Sequence, residues 1–113
     1  METISSHAMA VINEIEAHMK RVTPILKHHE WRVDCGVMGT TLEELYEQEK
    51  QLYPDLLQES FLTKDSVDKA IAVEIMNYYE SKCPLRTRGA SGLPYGNNGW
   101  VRVYAYLVNL KDQ

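Results

Sequence analysis

The sequence predicts an α+β fold in which about three helices pack on a small antiparallel sheet that includes a C-terminal strand, residues 100–110. Three observations lead to this prediction. Apolar residues recur at helical spacing in three stretches, whereas residues 100–110 alternate as a half-buried strand does. Residues 83–99 hold four of the six glycines and two of the four prolines, which is typical of a loop. The length of 113 residues predicts one domain, residues 1–113.

The first helix is predicted from Ser5 or Ser6 to about Arg21. A serine at this position can cap the helix, because its hydroxyl accepts a hydrogen bond from a backbone N–H of the first turn. One face is apolar and consists of Ala8, Val11, Ile12, Ile15 and Met19. Pro24 should end the helix by Thr23, since proline lacks a backbone N–H and disfavours helical geometry in the residue before it.

A short strand and a second helix follow. Trp31, Val33 and Cys35 alternate with polar residues, which predicts a half-buried strand over residues 30–35. Farther along, a capping box with its cap at Thr41 and a glutamate three positions later predicts a helix that continues to about residue 53.

The third helix is predicted over about residues 64–82, as the longest of the three, with Thr63 or Asp65 as its cap. Its apolar face consists of Val67, Ala70, Ile71, Ile75 and Tyr78, and further apolar residues widen that face. A helix with so broad an apolar surface is expected to touch two neighbours.

The C-terminal strand has two apolar faces. One consists of Val101, Val103, Ala105 and Leu107 and is expected to pack on helices. The other consists of Trp100, Arg102, Tyr104, Tyr106 and Val108, and it is too apolar for a face that contacts only solvent. In a sheet with residues 31–35, the longer strand would leave part of its edge unpaired. That excess length predicts a homodimer, because an unpaired edge is a template for pairing with another chain.

Charge and cysteine usage suggest the cellular setting. The net charge of −4 gives no general attraction to nucleic acid or to anionic membranes. Residues 81–111 nevertheless contain no acidic residue, while five basic residues lie there: Lys82, Arg86, Arg88, Arg102 and Lys111. The sequence shows no secretory signal pattern and no apolar segment of about 20 residues. We therefore expect a cytoplasmic protein with reduced thiols at Cys35 and Cys83.

Motifs for metals, cofactors or catalysis are weak. The four histidines and two cysteines form no CxxC or HxxxH pattern, so no metal or cofactor is predicted. Arg21 and His28 have an R-x6-H spacing that resembles the Arg-His motif of the HEPN ribonucleases. The resemblance implies that the arginine stabilises phosphate charge and that the histidine assists proton transfer. Here Pro24 interrupts the helix on which that family carries its motif.

The sequence favours a small cytoplasmic interaction or regulatory protein without catalytic activity. It would present the C-terminal aromatic strand and the loop rich in arginine and glycine to a protein partner, since tyrosine, tryptophan and arginine concentrate binding energy. The candidate binding residues are Arg86, Arg88, Tyr95, Trp100, Arg102, Tyr104 and Tyr106. An alternative is a nucleic-acid or phosphate binder that uses the basic loop over residues 86–102. A third interpretation is a small nuclease.

Overall fold

The computed structural model of the chain describes residues 4–36, 39, 41–54, 56–82 and 99–108. It confirms the α+β class, with three helices and a three-stranded antiparallel sheet among these residues. The elements are α1 (Ser6–Val22), β1 (Trp31–Gly36), α2 (Leu42–Leu52), β2 (Leu62–Asp68), α3 (Lys69–Lys82) and β3 (Trp100–Leu107), with 3-10 turns at His28–Glu30 and Gln58–Ser60.

The predicted helix starts are confirmed for α1 and α2. The Ser5 hydroxyl accepts a hydrogen bond from the backbone N–H of Ala8 at 3.2 Å, and Thr41 does the same for Glu44 at 3.1 Å. Each bond satisfies one of the backbone donors that a helix leaves without a partner in its first turn. The α1 helix ends at Val22, so Pro24 lies just beyond the helix end.

The predicted start of the third helix is wrong. Residues 62–68 form strand β2, so Thr63 and Asp65 are not helix caps and α3 begins at Lys69. With 14 residues, α3 is shorter than α1, which has 17. The side chain of Asp68 accepts a hydrogen bond from the N–H of Ala70 at 2.8 Å. Pairing with β3 decides the conformation of this segment, because tertiary contacts override a weak local helical preference.

Strand β3 is the central strand of the sheet, in the order β1-β3-β2. Trp31 lies opposite Leu107 in the β1 pairing, and Leu62 lies opposite Ala105 in the β2 pairing. Strand β2 pairs with the opposite edge of β3, and on the β1 edge only Trp100 and Val101 of β3 lie beyond the pairing with β1. The long unpaired edge for which we expected a homodimer is therefore not found in β3, and the homodimer stays a prediction.

The sheet separates two apolar clusters. Val101, Val103 and Ala105 of β3 belong to the larger cluster with residues of α1 and α3, which confirms that this face packs on helices. Tyr104 and Tyr106 belong to the smaller cluster on the other face, with Leu45 of α2, Leu56, Phe61 and Val108. The two faces of β3 are thus covered by different parts of the chain.

Candidate functional site

The predicted binding residues differ in whether the structure describes them and in how exposed their side chains are. Arg86, Arg88 and Tyr95 lie outside the described residues. The other four lie on β3, where Trp100 is 45% exposed and Arg102 is largely buried. Tyr104 and Tyr106 are 6% and 0% exposed. Of the described candidates, Trp100 is therefore the residue that offers a large apolar surface to solvent.

Tyr104 and Tyr106 are packed in the smaller apolar cluster. The ring of Tyr106 stacks on Phe61 with a centroid separation of 4.7 Å, and the rings of Tyr104 and Tyr106 are nearly parallel at 6.1 Å. The Tyr106 hydroxyl donates a hydrogen bond to Glu49 Oε2 at 2.8 Å, while the Tyr104 hydroxyl lies 3.5 Å from Glu49 Oε1. Burial raises the pKa of both tyrosines, with a further contribution from neighbouring carboxylates.

A buried charge cluster lies beside these rings. Arg32 donates to Asp34 Oδ2 from Nη2 at 2.7 Å and to Glu49 Oε2 from Nη1 at 3.4 Å. Burial by itself would lower the pKa of Arg32, but Tyr106 and the two carboxylates raise it overall above its ordinary value. Arg32 is therefore a permanent cation, and we interpret the cluster as the polar contact between α2 and the sheet.

Trp100 borders a surface groove of about 650 Å³ between α1, β2 and the start of α3. Its apolar lining consists of Ala10, Val11, Val67, Ala70, Ile71 and Trp100. The volume is in the range of pockets that bind ligands, and such pockets are mostly apolar. This groove is the candidate functional site.

The charged residues that line the groove are engaged in intramolecular contacts. Lys64 Nζ lies 2.8 Å from Glu14 Oε2, which connects β2 to α1. Asp65 accepts two hydrogen bonds from Arg102, one of them from Nη2 at 3.2 Å. The side chain of Asp68 accepts a hydrogen bond from the backbone N–H of Ala70, at the start of α3. These pairs hold the walls of the groove in place.

A β-bulge shapes one wall of the groove. The register of β2 against β3 shifts between Lys64 and Val67, and Ser66 has a φ angle of +59°. Few residues other than glycine adopt this left-handed conformation, and bulges redirect the side chains of a strand. Lys64, Asp65 and Ser66 all line the groove as a result. Sequence reasoning missed this wall because it predicted a helix there.

Arg21 and His28 do not share a helix. Arg21 lies in the last turn of α1, whereas His28 begins the 3-10 turn that follows. His28 Nε2 lies 3.0 Å from both carboxylate oxygens of Glu16, and the Tyr79 hydroxyl donates to Glu16 Oε2 at 2.8 Å. His28 thus attaches the turn to α1, and it lies outside the helix that carries Arg21.

Cys35 is buried, with 7% of its surface exposed, and it is a free thiol. Burial, with a contribution from Asp34, raises the pKa of Cys35 to about 12. A thiol must lose its proton to act as a nucleophile, so Cys35 is unreactive at neutral pH. Cys83 lies outside the described residues.

Within the described ranges, no group of three or more histidine, cysteine, aspartate or glutamate residues could hold a metal ion. None of the described helices combines the length and the apolar character needed to cross a bilayer. No protein-family model matches the chain, and no curated protein or solved structure is significantly similar to it.

Proposed function

We propose that the chain is a small cytoplasmic interaction or regulatory protein without catalytic activity, and that a protein partner binds at the groove beside Trp100. The observation that carries the proposal is a large aromatic side chain, 45% exposed, at the edge of an apolar groove of about 650 Å³. Tryptophan is the residue type most enriched among those that dominate the energy of protein interfaces.

The partner that fits is a segment with an apolar side chain next to a basic one. The apolar side chain would contact Val11 and Ile71 of the groove lining. Glu14 and Asp65 are paired with Lys64 and Arg102, so the carboxylate of Asp68 is the lining group that favours a positive charge on the partner. Asp68 is exposed and its carboxylate can accept more than the one N–H of Ala70.

The charged residues of the groove suit a binding surface better than a catalytic site. A small ligand is normally oriented by a few convergent polar groups. Here Glu14, Lys64 and Asp65 are occupied by ion pairs. A protein partner needs no such groups inside the groove, because the rest of its interface supplies the orientation.

Nucleic-acid binding through the loop over residues 86–102 is the competing proposal. Of its described residues, Arg102 is paired with Asp65 and Tyr104 is 6% exposed. The ion pair of Arg102 does not favour phosphate binding, and the burial of Tyr104 does not favour base stacking. Fluorescence anisotropy with labelled RNA and DNA should therefore show no affinity that weakens steeply with salt and that is lost in Arg86→Ala/Arg88→Ala.

The cytoplasmic location and the homodimer are further parts of the proposal. A buried free thiol at Cys35 suits a reducing compartment. Cell fractionation tests the location. Light scattering tests the dimer, and a strict monomer at high protein concentration would contradict it.

A peptide library displayed on phage tests the groove. The library is selected on the wild-type protein alone, with no depletion on any variant. A recovered peptide is then synthesised, labelled and titrated by fluorescence anisotropy. We expect an apolar residue beside a lysine or arginine, and a Kd at least tenfold weaker for Trp100→Ser.

Ile25→Ser is the matched control, because Ile25 is an apolar residue that is 81% exposed and does not line the groove. It should change the Kd by less than twofold. Peptides that bind wild type and Trp100→Ser equally would contradict the proposal, and so would a selection that yields no binder.

A further inference from the structure

Helix α2 docks on the sheet through a contact that is partly polar. Of its 11 residues, Leu45 and Glu49 are the two that are buried, and Leu42 and Tyr46 pack against the same cluster while partly exposed. Leu45 belongs to the smaller apolar cluster, where it contributes the aliphatic part of the contact. Glu49 is charged. An amphipathic helix usually docks through an apolar stripe, so a buried carboxylate in this contact is unusual.

The polar half of the contact converges on one carboxylate. Glu49 receives the Tyr106 hydroxyl at 2.8 Å and lies 3.4 Å from Arg32 Nη1. With Asp34, the cluster holds two carboxylates and one guanidinium, all largely buried. Arg32 Nε is buried and has no hydrogen-bond partner in the described structure. The cost of removing these groups from water is thus only partly offset in the docked state.

The packing around α2 is separate from the main core. Leu45, Tyr104 and Tyr106 belong to the smaller cluster, whereas the buried residues of α1 and α3 belong to the larger one. The sheet lies between them. Separate clusters allow one part of a protein to open locally while the other stays folded.

We propose that α2 is a cover that opens from the sheet as a unit and that Glu49 holds it closed. The α1 and α3 helices and the sheet remain folded in the open form. Opening exposes the faces of Tyr104 and Tyr106, two residues that the sequence predicted as a binding surface. The open form therefore presents an aromatic surface in addition to the groove at Trp100. The opening of α2 does not depend on the function proposed for that groove.

Hydrogen exchange measured by mass spectrometry at pH 7 tests the opening. Amides from Leu45 to Glu49 are compared with interior amides of α1 and α3, which excludes simple fraying of helix ends. In the wild type, the α2 amides should exchange at least 100-fold faster than those of the other two helices. Glu49→Ala should accelerate exchange in α2 at least tenfold, because it removes contacts that exist only in the closed form. Amides of α1 and α3 should accelerate by no more than the same factor, since they exchange through unfolding of the whole fold.

Glu47→Ala is the matched control, because Glu47 is exposed on the same helix and loses the same charge. It should leave the α2 rates within twofold of the wild type. Equal rates in all three wild-type helices would overturn the proposal, as would a folded Glu49→Ala variant whose α2 amides exchange no faster than those of the wild type. The wild-type comparison decides the matter even if Glu49→Ala fails to fold.

Discussion

The hydroxyl of Tyr106 offers a sharp test of the buried charge cluster. Tyr106→Phe removes one oxygen and leaves the ring that stacks on Phe61 at 4.7 Å. The hydroxyl donates to Glu49 at 2.8 Å, well within hydrogen-bonding distance. Tyr104→Phe is the same chemical change on a neighbouring ring, but the Tyr104 hydroxyl is 3.5 Å from Glu49. The two variants therefore differ mainly in the strength of one hydrogen bond.

The expected magnitudes follow from these distances. A hydrogen bond to a charged group contributes about 1.5–3 kcal/mol, and a buried carboxylate that loses a donor adds to the cost of removal. Tyr106→Phe should therefore lower the free energy of unfolding by about 2 kcal/mol. Tyr104→Phe should lower it by less than about 1 kcal/mol, because a contact of 3.5 Å is at the limit of a hydrogen bond.

Urea denaturation followed by circular dichroism measures both changes. With a urea m-value of about 2 kcal/mol per molar, Tyr106→Phe should shift the midpoint by roughly 1 M and Tyr104→Phe by less than half of that. The m-value itself should not change. Equal midpoint shifts for the two variants, or a larger one for Tyr104→Phe, would refute the claim that the shorter hydrogen bond to Glu49 contributes more to stability.

Three further predictions concern other parts of the fold. Burial raises the pKa of Cys35 from 9.0 to about 12, so between these values the native protein keeps a proton that the unfolded chain loses. The contribution of Cys35 to the free energy of unfolding should therefore fall by about 1.4 kcal/mol for each pH unit between the two pKa values. Urea titrations from pH 8 to 11 should show that the free energy of unfolding declines less steeply with pH for Cys35→Ala than for wild type. Ser66→Val should lower the free energy of unfolding by about 1–2 kcal/mol in the same assay, because a β-branched residue is strained at a φ of +59°, whereas Ser66→Asn should be tolerated. Acrylamide should quench wild-type fluorescence more than that of Trp100→Phe, since Trp31, which remains, is fully buried; equal quenching would contradict the exposure of Trp100.

Local signals in the sequence were enough to predict much of the fold. The caps Ser5 and Thr41 fix the starts of two helices through bonds that depend on residues three positions apart. Pro24 marks the end of α1 through its own covalent geometry. The alternation in residues 100–107 reports a strand with two buried faces. Each of these signals is complete within a short window of sequence.

Strand β2 and the groove could not be predicted in the same way. The bulge between Lys64 and Val67 interrupts the two-residue alternation by which a strand is recognised. The apolar helical spacing that begins at Val67 then favours a helix that starts too early. The groove also depends on contacts distant in sequence, such as Lys64 with Glu14. The burial of Tyr104 and Tyr106 under α2 is likewise a tertiary contact that composition does not reveal.

The central position of β3 has a consequence for the order of events during synthesis. β1 and β2 both precede β3 in the chain, and Trp31 acquires its partner Leu107 only after the residues between them have been synthesised. Until then neither strand has its partner in the sheet, and α1 and α3 lack the part of their apolar contact that β3 supplies. Contacts so distant in sequence slow folding and leave the nascent chain prone to aggregation. Among the described strands β3 is made last, so the sheet and the apolar clusters on its two faces can be completed only once β3 is available.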